Sequence, residues 1–137
     1  MTDYPTANEA MAQRFSDVWT PTGFPFVLGN EKFNAPDDTP WARMVVRHNA
    51  ATQSTLGITG ARQFDRLGSM LIQVFTPLRE GTRRSADLIQ TVVNGLEGTV
   101  IANTSICVND VIPREVGPVD KWYQVTIEAE FRYTDIR

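Results

Sequence analysis

Apolar and polar side chains alternate most regularly near the end of the chain, in residues 122–133. One side of the pleat carries Tyr123, Val125, Ile127, Ala129, Phe131 and Tyr133. The other side carries Trp122, Gln124, Thr126, Glu128, Glu130 and Arg132. Because successive residues of a strand point to opposite faces of a sheet, this pattern predicts a long strand with one buried and one solvated face.

The same period of two predicts further strands at residues 26–28, 41–47, 62–76, 100–102 and 105–112. Residues 70–75 are apolar on both faces apart from Gln73, which predicts a central position in the sheet. Gly68 marks a candidate bend in that strand. Proline and glycine in residues 113–118 predict a turn before the terminal strand.

Two segments instead repeat apolar residues at helical spacing. The first covers residues 7–19 and begins with a predicted capping box of Thr6 and Glu9. Its predicted buried stripe consists of Met11, Phe15, Val18 and Trp19. The second covers residues 83–95, with Thr82 or Ser85 as its cap and a predicted buried stripe of Ala86, Ile89, Val93 and Leu96. The order of elements predicts one α+β domain over residues 1–137, a mostly antiparallel β-sheet with two α-helices packed on one face.

A polar segment rich in small residues separates two of the predicted strands. Residues 48–61, here called the arm, are too many for a tight hairpin turn. Thr55, Leu56 and Ile58 favour pairing of the second half of the arm as a strand extension. We expect the arm to protrude, and to be either disordered alone or ordered by a partner.

Charge is unevenly distributed over a chain of 137 residues whose net charge is −3. That balance disfavours a dedicated nucleic-acid binder, which carries a basic excess. From Asp87 onward, acidic residues outnumber basic ones. A positive zone is predicted mid-chain from Arg62, Arg66, Arg79, Arg83 and Arg84. Opposite zones on one small domain suit head-to-tail association of copies, although two solvated faces without a partner give the same pattern.

Residues with active-site chemistry are few. His48, the only histidine, lies at a predicted strand end and is interpreted as a solvated or strand-capping residue. Cys107, the only cysteine, is predicted to be a buried core residue, so no disulfide forms within the chain. Glu128 and Glu130 share a solvated strand face, which lacks the desolvation that acid–base catalysis needs. We predict no enzyme activity and no catalytic, cofactor-binding or metal-binding residues.

Other binding classes find no support in the sequence. Asp37 and Asp38 lack the alternating acid spacing of a calcium loop, and residues 57–62 fail the spacing of a phosphate-binding loop. No apolar run reaches the length of a bilayer span, so no membrane partner is expected. The first residues lack the pattern of a secretory signal, and the expected origin is the cytosol.

Several segments together resemble the tail terminator family of long-tailed bacteriophages, also called tail completion or minor tail proteins. They are residues 41–43, 55–57, 71–77, the second helix with Ala86 and Leu88, and residues 122–125, in matching order over most of the chain. Residues 78–81 are more charged than the glycine-rich turns that the family places after its Phe-Thr-Pro element.

The resemblance implies a structural virion protein at the junction of tail and neck, made in the host cytoplasm and without cofactors. It implies a homohexameric ring on the head-proximal end of the tail tube. Such a ring ends tube polymerisation and provides a joining surface for the head connector. Genomic DNA passes through its lumen without specific binding.

Under that resemblance, the arm is the predicted contact with a neighbouring copy or with the tail tube protein. Leu56 and Ile58 are its apolar anchors, and Gln53 and Ser54 supply hydrogen bonds. The remaining predicted contacts are charged: Arg62, Arg66, Arg83 and Arg84 toward the acidic zone of the next copy, and Glu128 and Glu130 toward the channel or an inter-subunit face. Two alternatives stay open: a neck stopper or other head–tail connector ring, and a small-ligand-binding α+β module or enzyme.

Overall fold

A computed structural model describes residues 2–29, 31, 34, 36, 38–78 and 83–137. The predicted α+β class is confirmed, with two α-helices and one five-stranded sheet in these residues. The helices are α1 (Tyr4–Trp19) and α2 (Arg83–Leu96), and a short 3-10 helix (Thr20–Thr22) follows α1. The strands are β1 (Phe26–Leu28), β2 (Trp41–Gln53), β3 (Gln63–Pro77), β4 (Cys107–Val119) and β5 (Trp122–Ile136).

The strand order is β1-β2-β3-β5-β4, in which β1 is parallel to β2 and every other pair is antiparallel. The central position predicted for residues 70–75 is confirmed, because β3 has a strand on each side. Both helices pack on one face of the sheet, here called the helix face; the other is the open face. The core between the helices and the helix face includes Phe15, Trp19, Met70 and Phe131. Burial of these apolar side chains stabilises the fold.

Helix α1 begins earlier than the sequence predicted. Its N-cap is Asp3, whose carboxylate accepts a hydrogen bond of 3.0 Å from the Thr6 amide, and Pro5 lies in the first turn. The predicted capping box of Thr6 and Glu9 was wrong, because Asp3 supplies the acceptor and proline suits a first turn whose amides have no helical partner. The predicted apolar stripe is buried except for Val18, which is half-buried.

Helix α2 buries a face that is rotated from the predicted one. Its buried side chains are Ser85, Leu88, Val92 and Leu96, whereas Ala86 is exposed and Ile89 and Val93 are half-buried. Leu96 is buried as predicted. The rest of the predicted stripe was wrong, because small Ala86 and polar Ser85 give little indication of which of them faces the core. Thr82 and the predicted turn at residues 79–81 lie outside the described residues.

β4 is one continuous strand at the edge of the sheet, where the sequence predicted a short strand and a turn. It pairs with β5 along its length, with two register shifts. The predicted turn at residues 113–118 was wrong, because an edge strand tolerates Pro113 and Pro118: no further strand needs the amide that proline lacks. The chain reverses instead at residues 120–121.

The start of β4 also differs from the prediction. The expected strand at residues 100–102 is reduced to a single bridge between Val100 and Cys107. Cys107 is half-buried, so its predicted core position was wrong. Its neighbours Ile106 and Val108 are the buried residues, because alternate residues of an extended segment point to opposite sides.

The first half of the arm extends β2, and its second half forms a loop. β2 continues through Gln53 and pairs with β3 as far as Phe64. The predicted pairing of residues 55–58 as a strand was therefore wrong. We call the connecting loop, residues 54–62, the finger. β5 follows the other side of β3 as far as Ile136, so the hairpin belongs to a three-stranded extension of the sheet.

A β-bulge accompanies the predicted irregularity at Gly68. The pairing of β2 with β3 shifts between His48 and Ala50, opposite Gly68. A Cβ atom at this glycine would collide with the Arg47 carbonyl oxygen and with the ring of Phe131. Glycine is required here because the neighbouring strands leave no space for a side chain.

A second, smaller core lies on the open face. Trp41 stacks on Phe75 with ring centroids 4.1 Å apart, and Trp122 packs edge-on against Trp41 at 6.2 Å. Val27 completes this cluster. Three of the segments that carried the family resemblance thus meet at one place, from β2, β3 and β5. Their aromatic residues have a packing role in the sheet.

Candidate functional site

The finger has a defined shape that its own hydrogen bonds maintain. The Ser54 amide donates to the Gln63 carbonyl at 2.8 Å, and the Gln63 amide donates to the Thr55 hydroxyl oxygen at 2.9 Å. Nearer the tip, the Ala61 amide donates to the Ile58 carbonyl at 3.0 Å. These bonds limit the conformations of the loop and so reduce the entropy that ordering it against a partner would cost.

The finger exposes its two large apolar side chains. Leu56 is 97% exposed and Ile58 is 81% exposed, more than the other large apolar residues described. Gln53 donates to the Thr55 carbonyl at 3.0 Å, and the Ser54 hydroxyl donates to a carbonyl across the hairpin at 3.3 Å. These two predicted hydrogen-bonding groups therefore serve the hairpin itself, and the large side chains that the finger leaves for a partner are the apolar Leu56 and Ile58.

The predicted contact arginines lie at opposite ends of β3. Arg62 and Arg66 are at its start, whereas Arg83 and Arg84 begin α2, which follows its end. A strand of 15 residues is about 50 Å long, at about 3.3 Å per residue. The prediction of one positive zone was therefore wrong, because a long strand separates residues that are close in sequence. Arg79 lies outside the described residues.

The two arginines near the finger are bonded within the chain. The Arg66 guanidinium lies 3.3 Å from the Asp135 carboxylate, and the two side chains are only 20% and 6% exposed. Arg62 donates to the Arg137 carbonyl at 3.3 Å, and the two backbones are hydrogen-bonded to each other. Arg66 therefore has a structural contact on the helix face, where loss of its partner would leave a poorly solvated charge.

The two arginines of α2 lie at the surface. Arg83 forms an ion pair of 3.5 Å with Asp87 one helical turn away, and both side chains are largely exposed. The Arg84 guanidinium lies over the ring of Phe24 at 5.8 Å. An exposed pair contributes little to stability, so Arg83 can exchange its partner for an acid of another molecule at small cost.

Glu128 and Glu130 lie on the open face, as the alternation predicts. Glu128 is half-buried, pairs with Arg114 at 3.6 Å and accepts a hydrogen bond from the Ser69 hydroxyl at 3.4 Å. Glu130 is exposed and lies opposite Ser69 in the register of β3 and β5. The charge of Glu128 is thus compensated within the chain, and Glu130 is the more available of the two carboxylates.

His48 belongs to an aromatic cluster between the start of α1 and the helix face. Its Nε2 shares a hydrogen bond of 2.7 Å with the Tyr133 hydroxyl, and the Tyr4 ring lies 4.4 Å from the imidazole. The expectation of a solvated or strand-capping residue was wrong, because His48 is on the side of β2 that faces the helices. Burial and the nearby charge of Arg66 lower the pKa of His48, and burial raises the pKa of Tyr133. Both groups are therefore neutral near pH 7.

The cavities in the described part of the chain are grooves open to solvent. One of about 440 Å³ lies beside Leu67, Cys107 and Arg132. Within the described ranges, no three His, Cys, Asp or Glu side chains are grouped so that they could hold a metal ion. Asp37, of the acidic pair considered above, lies outside those ranges. None of the helices described here has the length and apolarity needed to cross a bilayer.

Sequence reasoning did not identify an uncovered edge of β2. β1 pairs only with residues 42–44, and no strand of the described residues follows it along the rest of β2. The available signal was the short length of the strand predicted at residues 26–28 beside the longer one predicted at residues 41–47.

Comparison with known proteins supports one family. The model of a family described as phage tail terminator protein matches residues 6–131. No curated protein matches the chain. Of 21 matching chains of solved structures, one whose name states no function superimposes with a TM-score of 0.65 at 16% identity, over 91% of this chain and 94% of its own. At that identity, the likeness concerns the fold alone.

Proposed function

Because the chain belongs to the family of phage tail terminator proteins, we propose that it caps the head-proximal end of the tail tube as a homohexameric ring. Membership of this family makes the chain a structural component of the phage tail and of the virion. In the proposal, the ring ends tube polymerisation and joins the tail to the head connector. Its partners are further copies of itself, the tail tube protein and the connector, and DNA passes through the lumen without specific binding.

The exposure of Leu56 and Ile58 is the observation from the structure that best supports this proposal. Large apolar side chains at the tip of a hairpin contribute nothing to the core of the chain that carries them, but they stabilise a contact in which they are buried. A ring-forming subunit needs such a surface on every copy. The finger supplies it in a form that its own hydrogen bonds have already shaped.

A terminator must also cover the tube end without offering an equivalent surface to another subunit. β4 is suited to the side of the ring to which no further subunit may add. Pro113 and Pro118 remove amides from the strand, and two register shifts interrupt its regularity. An incoming strand therefore finds an incomplete hydrogen-bonding edge there.

The surface charges have separate roles in this proposal. Arg83 and Arg84 are exposed at the start of α2 and meet acids of the next copy. Arg62 is the last residue of the finger and contributes at the same contact as Leu56, whereas Arg66 acts within the fold through Asp135. Glu128 and Glu130 face the channel or a neighbouring copy, where Glu130 and the net charge of −3 per copy repel DNA.

Tail assembly with and without the protein tests the function. Electron microscopy of tails assembled without it should show overlong tubes that carry no heads, and addition of the protein should restore length control and head joining. Tubes of normal length in its absence would refute termination. Binding to DNA-filled heads and not to purified tubes would identify a connector ring instead.

Shortening the finger tests which part of the chain does this work. Residues 56–61 are replaced by Asn-Gly, a two-residue hairpin turn that places Thr55 opposite Arg62 and so continues the register in which Gln53 pairs with Phe64. The variant should fold, with an unchanged far-ultraviolet circular dichroism spectrum, and should fail to cap tubes. Normal-length, infectious tails from this variant would contradict a role for the finger.

A further inference from the structure

The uncovered edge of β2 has backbone groups available for pairing. Gly29, with φ of +54°, turns the chain away directly after β1. The Met44 carbonyl accepts a hydrogen bond from the Gly29 amide and so points to this edge. Because alternate residues of a strand direct their backbone groups to the same side, those of Val46 and His48 point there as well. Along the described chain, no backbone group pairs with either residue on that side.

An apolar groove lies beside this edge, between α1 and β2. Its volume is about 310 Å³, and Ala12, Leu28 and Val46 are among its lining residues. Asn8 also lines it, and the Oδ1 atom of this side chain is buried without a hydrogen-bond partner in the described residues. A buried acceptor without a donor costs free energy, so the groove favours an occupant that combines apolar side chains with an N–H or O–H donor.

The finger has the complementary surface. Leu56 and Ile58 are two residues apart, so both point the same way when residues 55–58 are extended. The turn closed by the Ala61 amide begins at the carbonyl of Ile58, the last residue of this segment. The finger cannot reach the groove of its own chain, because β2 carries it away from Val46 by about 25 Å, at about 3.3 Å per residue.

We infer that residues 55–58 of one copy add as a strand to the free edge of β2 in the next copy, with Leu56 and Ile58 in the groove between α1 and β2. The added strand lies beside residues 46–48, which no strand of the described chain pairs on that side. Its backbone supplies donors and acceptors to Val46 and His48, and an amide comes within reach of Asn8. Pairing by strand addition gives affinity through the backbone and specificity through the groove.

This contact joins two different surfaces, the finger of one copy and the β2 edge of the next. Such head-to-tail contacts generate a closed ring when the rotation between successive copies closes. The inference rests on the proposed ring and specifies how its copies are joined. β4, the other edge of the sheet, is the poorer acceptor, because its prolines and register shifts interrupt the ladder.

A disulfide between copies tests the contact directly. In a Cys107→Ser background, Leu56→Cys is combined with Ala12→Cys, and the protein is assembled on purified tail tubes and oxidised. The expected product is a ladder of linked copies on a non-reducing gel. The matched control pairs Leu56→Cys with Ala86→Cys, on the exposed side of α2, and should give no ladder.

Two results would overturn the inference while leaving the proposed function intact. One is normal capping by the Leu56→Cys/Ala12→Cys protein without a ladder. The other is a link from Ala12→Cys to the tail tube protein, formed with a cysteine-to-amine cross-linking reagent, which would make that protein the occupant of the groove. Failure of the unmodified protein to cap tubes would instead refute the proposed function, and the inference with it.

A charge in the finger provides an independent measurement that needs no cysteine. Leu56→Asp should lower the fraction of capped tubes at a fixed protein concentration by about tenfold or more, since an aspartate cannot enter an apolar groove without losing hydration. Val100→Asp, at a 61% exposed site away from the finger, is the control and should cap normally. Equal capping by the two variants would overturn the inference.

Discussion

Truncation of Leu56 should weaken assembly and leave the fold intact. The side chain is 97% exposed, so Leu56→Ala should change the free energy of unfolding by no more than about 0.5 kcal/mol. The same exposure makes almost the whole side chain available for burial between copies. The substitution removes three carbon atoms, which at about 0.8 kcal/mol for each buried methylene corresponds to about 2 kcal/mol per contact.

That loss applies at every contact of the closed ring. About 2 kcal/mol weakens each contact about 30-fold, since about 1.4 kcal/mol corresponds to a factor of ten. A hexameric ring on a tube end has as many contacts as copies, so the concentration of free protein at half-maximal capping scales as the dissociation constant of one contact. We therefore expect Leu56→Ala to need about 30 times more protein than the unmodified chain for half-maximal capping.

Two measurements on the same preparations check this reasoning. Tail tubes are titrated with the unmodified protein, Leu56→Ala and Val100→Ala, and capped ends are counted by negative-stain electron microscopy; urea unfolding of each protein gives its stability. Val100→Ala should cap like the unmodified chain. Half-maximal capping by Leu56→Ala at the same concentration as the unmodified protein would refute burial of the finger. A loss of stability above about 1 kcal/mol would show that Leu56 already packs in the free subunit.

Three further predictions concern the fold. Gly68→Ala should lower the free energy of unfolding by about 3 kcal/mol in urea titrations, because the new Cβ meets the Phe131 ring and a backbone carbonyl; a loss below about 1 kcal/mol would contradict the packing. The pKa of His48 in the folded chain is below its ordinary value of 6.5, so the unfolded chain binds a proton first as the pH falls. The stability that His48 contributes is therefore complete above pH 6.5 and declines as the pH falls through the lowered pKa. His48→Gln should remove that decline from urea midpoints measured across this range, and an unchanged pH profile would contradict the argument. Asp3→Ala should lower the thermal midpoint through loss of the N-cap, whereas Glu9→Ala should not; equal effects would restore the capping box predicted from sequence.

Sequence periodicity alone determined the fold class and most of the elements. The alternation in residues 122–133 predicted β5 and its buried face, and the apolar run in residues 70–75 predicted the central strand. These predictions succeed because burial acts on each residue of a regular element separately, so its imprint is local and repeated. The finger residues Leu56 and Ile58 were also identified from sequence, as apolar residues in a polar segment.

Local reasoning failed wherever the environment of an element depended on its neighbours. Pro113 and Pro118 indicated a turn, but they are compatible with a strand because β4 is at an edge. His48 carries no sequence sign that Tyr4 and Tyr133 surround it, since the three are distant along the chain. The buried face of α2 was likewise determined by how the helix packs against the sheet.

The candidate assembly surfaces divide along the same line. Exposed apolar residues in a loop can be recognised from sequence, because no partner within the chain is needed to define them. The groove beside Asn8 and the free edge at Val46 cannot be recognised from sequence. Both result from the short length of β1 and from the position of α1 next to β2. The finger consists of consecutive residues, whereas the groove that receives it is formed by elements that meet only when the chain folds.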